Sequence, residues 1–164
     1  MRKLAFLAPL GAVLALVATP ALAGPDSVSV TVGGVLQNQV DELGPRDVQE
    51  QAARLEQVVR RALADSNDLD GARIELVLTD LKPNRPTLQQ LGDRPGLDGI
   101  RSVSIGGATI EGQITTADGR TEPVRYDWYS VSLADVRGFS TWQDADRAYR
   151  RLALNLANGR YFTR

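Results

Sequence analysis

Residues 27–32 read S-V-S-V-T-V, so Val28, Val30 and Val32 fall on one side of a strand and hydroxyl-bearing residues on the other. Residues 45–64 obey a different period: Val48, Ala52, Leu55, Val59, Ala62 and Leu63 form one stripe at helical spacing. Elements with a single apolar side need a single covering layer. A sheet buried on both faces would read as unbroken Val/Ile/Leu runs, and these strands do not.

The remaining elements follow the same rule. Pro45 opens the first helix where its missing N–H costs nothing, and Glu50/Arg54 and Glu56/Arg60 are spaced as i,i+4 pairs on its solvated side. A second strand is expected over residues 72–79, with Ile74, Leu76 and Leu78 on one face and Val77 as an exception on the other. Residues 81–99, "LKPNRPTLQQLGDRPGLDG", make a long connection with one helical turn over 87–91. Strands near residues 102–115 and 123–131 flank Asp118-Gly119, a strong hairpin signal. The last helix starts at Thr141, with Asp144 completing a Thr-x-x-Asp box, and closes at Asn158-Gly159. Trp142, Ala145, Tyr149, Leu152 and Leu156 form its apolar stripe; Arg147, Arg150 and Arg151 form a solvated face, with Asp146 paired to Arg150. The expected fold is α+β: a two-layer sandwich in the order β-α-β-loop-β-β-α, with two helices on one face of a largely antiparallel sheet of about four strands.

Residues 1–23 read as a secretory signal peptide. Arg2 and Lys3 precede an uncharged apolar stretch over residues 4–17, Pro20 breaks it, and Ala21-Leu22-Ala23 presents small residues where a signal peptidase reads. Cleavage is expected before Gly24, leaving residues 24–164 as one α+β domain in the periplasm, with no transmembrane span. The rival reading is an uncleaved membrane anchor, weakened by Pro9, Gly11 and Pro20. Two of the 19 basic residues leave with the signal and none of the 20 acidic ones, so the exported chain is net acidic. That balance argues against a nucleic-acid partner, whose binding rests on neutralised phosphates.

Composition also removes chemistry. Without histidine, Ser-His-Asp and Cys-His catalysis are closed; without histidine or cysteine, so is the usual zinc site. Without cysteine no disulfide helps the fold, and the core must hold it alone.

The surviving candidates are few. Gly106-Gly107 and Gly112 sit among β-formers rather than at a helix start, and no lysine stands near; they read as a bulge, a bend or a close packing contact, not a phosphate loop. Ser66, Asp68 and Asp70 before Gly71 have the spacing of part of a calcium loop, yet Val77 stands where an EF-hand places its bidentate Glu. The segment fits a polar helix-to-strand turn equally well. Carboxylate pairs such as Asp68/Asp70 or Asp144/Asp146 leave an acid–base hydrolase open. Lys82 is the only lysine beyond residue 23, and no Ser-x-x-Lys pattern accompanies it. No residue is assigned a catalytic role, and no metal or cofactor is expected.

Arg85, Arg94 and Arg101 lie in the long connection or at its exit, among prolines that restrict the backbone. Planar guanidinium groups on such a loop suit a carboxylate- or phosphate-bearing ligand or partner. The plainer alternative pairs these arginines with Asp93 and Asp98 on an ordinary surface loop.

The export signal, the element order and the helix opening "TWQDADRAYRRLA" together resemble small proteobacterial envelope proteins with a compact α/β domain. The general shape is similar to that of outer-membrane auxiliary lipoproteins, although no cysteine stands at the cleavage site. The resemblance transfers no site residue; the expected role is a non-enzymatic binding or envelope-assembly domain with an envelope protein or anionic ligand as partner. A carboxylate-using periplasmic hydrolase and a weak calcium-binding module are the alternatives.

Overall fold

A computed structural model describes residues 24–64, 69–136 and 138–162. The expected signal segment, residues 1–23, lies outside them. Four strands, β1 (Ser27–Val32), β2 (Arg73–Lys82), β3 (Gly107–Thr115) and β4 (Thr121–Tyr129), form one mixed sheet in the order β1-β2-β3-β4. β1 runs parallel to β2, while β2–β3 and β3–β4 are antiparallel. Parallel neighbours need a long crossover. Here it contains the helix α2 (Pro45–Leu63), preceded by a 3-10 turn at Gly34–Asn38 and a short helix α1 (Val40–Leu43). α3 (Leu88–Asp93) lies in the long connection, and α4 (Gln143–Ala157) follows the hairpin. No helix among the described residues is long and apolar enough to cross a membrane.

The fold is α+β, and its core forms where the two periods meet. Cross-strand rows Val28–Ile74–Ile114 and Val32–Leu78–Ile110–Tyr126 face the helices. Leu55, Val59 and Leu63 from α2 and Tyr149, Leu152 and Leu156 from α4 close over them, and all six are essentially inaccessible. Trp142 joins the same cluster, and Leu36 from the 3-10 turn is fully buried in it. The other sheet face carries Ser29, Glu75, Gln113 and Pro123 in one exposed row. The β4 edge is partly covered by the C-terminal segment, where the Arg125 N–H donates to the Tyr161 carbonyl at 3.0 Å.

Several local expectations are corrected. β2 continues to Lys82 because its irregularity falls between Leu78 and Asp80, where the register shifts, and not at the glycines of β3. β3 starts at Gly107, since the preceding residues are tied into the loop. Gly112 is a close packing contact: with φ of 158°, a Cβ there would sit 2.2 Å from the Glu75 carbonyl oxygen. Glu56 and Arg60 pair at 2.8 Å as expected, but Glu50 pairs with Arg46 and Arg54 reaches across to Asp146 on α4 at 3.1 Å. Asp146 is thereby withdrawn from Arg150. No side-chain hydrogen bond caps α4, because Asp144 turns inward rather than toward Thr141. Arg147 and Arg151 are not simply solvated: their guanidinium carbons lie 5.2 and 4.7 Å from the centroid of the Trp128 ring.

A candidate anion-binding cleft

The connection after β2 is held by one buried side chain. Pro83 supplies no N–H to continue the ladder, and Asn84, only 1% exposed, then turns inward. Its backbone N–H donates to the Thr141 carbonyl at 2.7 Å and its carbonyl accepts from Ser104 N–H at 2.9 Å. Its Nδ2 donates to Asp144 Oδ2 at 2.6 Å and to the Ser104 carbonyl at 3.2 Å, while its Oδ1 accepts the Asp144 N–H at 2.9 Å. Asp144 is wholly buried, and its other oxygen accepts from Arg147 at 3.3 Å. Gly106 makes room for this arrangement, since a Cβ there would lie 2.6 Å from Asn84 Oδ1.

Arg85 is the second internal clamp. It is 7% exposed; its guanidinium donates to the carbonyls of Ile100 and Gly138 and lies 5.2 Å from the Phe139 ring centroid. One planar cation therefore fastens two loops to each other. Thr87 and Gln90 form a reciprocal capping box at the start of α3. Asp98 accepts the backbone N–H groups of Ile100 and Arg101 at 2.7 and 2.8 Å. Those bonds, Arg101's first, hold its carboxyl below its ordinary value, because they stabilise the charged form.

These clamps shape a cleft of about 400 Å3. Lys82, Arg85 and Arg94 line it together with the serines at 102 and 104 and an apolar wall of Leu97, Val103 and Ile105. Among the described residues no carboxylate contributes to the lining. Arg94 pairs with Glu42 of α1 at 2.8 Å, at a surface-exposed site. Lys82 stands 4.0 Å from Asp80 Oδ2 and 5.1 Å from the centroid of the Tyr129 ring. The Tyr129 hydroxyl donates to Asp80 at 2.7 Å, and burial raises its pKa, so it remains a proton donor.

Arg85 and Arg94 thus line one cleft, whereas Arg101 is exposed and does not line it. None of the three pairs with Asp93 or Asp98: Asp93 accepts from Gln89 at 2.8 Å, and Asp98 holds its own turn. Lys82 is the cleft residue that the candidate trio omitted. Its signal in the sequence is its place at the end of β2, immediately before the loop.

The other candidate chemistries are placed as follows. Asp144 and Asp146 are engaged separately, by Asn84 with Arg147 and by Arg54. Ser66 and Asp68 lie outside the described residues, and Asp70 accepts the Gly24 N–H at 3.3 Å. Among the described residues no three potential metal ligands converge. No family model matches this chain, and no curated protein matches its sequence.

Proposed function

We propose that this chain is an exported, non-enzymatic binding or envelope-assembly module of the periplasm. Its long loop receives an anionic group, a carboxylate or a phosphate, borne by a ligand or an envelope protein. The observation that carries the reading is the convergence of Lys82, Arg85 and Arg94 on one cleft whose lining, among the described residues, has no carboxylate. The roles divide by exposure. Arg85 is committed to backbone carbonyls and sets the cleft wall, while Lys82 and Arg94 are exposed, each beside one carboxylate, Asp80 and Glu42, and within reach of an incoming anion. Arg94 would exchange its exposed pair with Glu42 for the incoming group, at little cost because surface ion pairs contribute only about 0–1 kcal/mol.

Calorimetric titration of the purified protein with inorganic phosphate and with citrate tests this. Saturable binding of either anion, lost in the Lys82→Ala/Arg94→Ala double variant and weakened by added salt, is the expected result. Unchanged binding in the double variant, or no binding of either anion, would count against the cleft.

A further inference from the structure

A second surface, on the helical layer, is separate from the loop cleft. Between α2 and α4 runs an open groove of about 410 Å3 whose apolar lining is Val58, Ala62, Ala153 and Leu154. Leu154, one of these, is 60% exposed. The lining also carries Arg54 and Arg61 from α2 and Arg150 from α4, and among the described residues no acidic one lines the groove. Arg54 is shared with Asp146, but Arg61 and Arg150 have no ion-pair partner among the described residues. Three arginines, two of them without an ion-pair partner among the described residues, thus surround an apolar surface in a chain whose net charge is −1.

We infer that this groove is the docking site of an acidic amphipathic helix from a partner protein. Shape favours a helix. Two packed helices leave a slot between their ridges, and the small side chains of Ala62 and Ala153 in its lining let another backbone come close. Spacing sets the partner's pattern. Arg54 and Arg61 are seven residues apart, on nearly the same side of α2 and about 10 Å apart along its axis. A helix lying in the groove meets them with carboxylates at i and i+7, and its apolar residues at i+3 and i+4 then fall over Val58 and Leu154. Apolar burial supplies most of the affinity, and the arginines select for an acidic partner.

Two synthetic 18-residue helical peptides serve as probes: one with leucines at the central positions and glutamates at i and i+7, the other with lysines in place of the glutamates. Backbone amide shifts locate binding, and fluorescence anisotropy measures it. The glutamate peptide is expected to bind at least tenfold more tightly than its lysine twin and to shift the amides of Ala62, Ala153 and Leu154. An Arg61→Glu/Arg150→Glu variant, still folded by circular dichroism, should reverse the preference. Equal binding of both peptides, or no shift in the groove, overturns the inference. So does movement of the same amides by phosphatidylglycerol vesicles or by self-association of the protein, with no preference between the peptides; these results would assign the groove to lipid or to a second copy. The loop-cleft variant Lys82→Ala/Arg94→Ala should bind the glutamate peptide as the unmodified protein does, so the two sites fail independently.

Discussion

Asn84 and Asp144, sixty residues apart in sequence, hold each other through two hydrogen bonds: amide to carboxylate at 2.6 Å, and backbone N–H to amide oxygen at 2.9 Å. Through this pair the strand β2, the start of α4 and the segment entering β3 meet at one buried point.

Replacing Asn84 by Ala leaves the buried Asp144 Oδ2 and its N–H without their partner, while Oδ1 keeps Arg147, so it should cost roughly 1.5–3 kcal/mol, the range for hydrogen bonds to a charged group. Gly106→Ala should also destabilise, because its methyl would strike the Asn84 amide. The two effects should be less than additive, since both disturb one contact. Urea unfolding of the single and double variants measures this; full additivity would show that the sites act separately.

The helix orientation has a simple contrast. Leu152 is 1% exposed and Arg150 faces outward. Leu152→Ala should cost about 2–5 kcal/mol, and Arg150→Ala should stay within roughly 0.5 kcal/mol. Comparable losses in chemical denaturation would contradict the packing of α4.

Where periodicity or a single strong turn decides, the fold is legible in the residues themselves. Pro45 and the Val48-to-Leu63 stripe mark α2 to within a residue, and Asp118-Gly119 marks the hairpin between β3 and β4. What escaped notice depends on partners distant in the chain. Nothing local to Asn84 announces Asp144, and Asp144 at the head of a helix looks like part of a capping box until Asn84 claims it. The bulge near Thr79 has no glycine to signal it. The 3-10 turn and α1 are too short for a period to register. At the candidate cleft, the long loop and two of its arginines stand out in the sequence. That Arg85 is an internal clamp depends on Ile100 and Gly138, whose carbonyls reveal themselves only in three dimensions.

The loop turn at Asp98 carries a pH signature. Its folded carboxyl is a stronger acid than the ordinary value of 3.8. The turn therefore gains from ionisation above that value and loses the gain as pH falls through the lower folded pKa. Carbon-13 titration of the side-chain carboxyls should show Asp98 protonating below 3.8, with the Ile100 and Arg101 amides shifting together. Titration at or above the ordinary value would mean that these two hydrogen bonds do not persist in solution.

Export makes a separate prediction. Protein recovered from the periplasm should have an intact mass that begins at Gly24, as expected from the Ala21-Leu22-Ala23 site. Full-length chain in the inner membrane would support an uncleaved anchor instead.

The central claim is that an anion binds in the loop cleft, and amide-resolved NMR during a phosphate titration tests it most directly. Shifts should concentrate on residues lining the cleft, Lys82, Gln90, Arg94, Ser102 and Ser104, and should disappear in Lys82→Ala/Arg94→Ala while Asn84 and Asp144 keep their native resonances. Shifts confined to other arginine-rich surfaces, such as Arg147 and Arg151 beside Trp128, or a cleft that stays silent at saturating phosphate, would contradict the account.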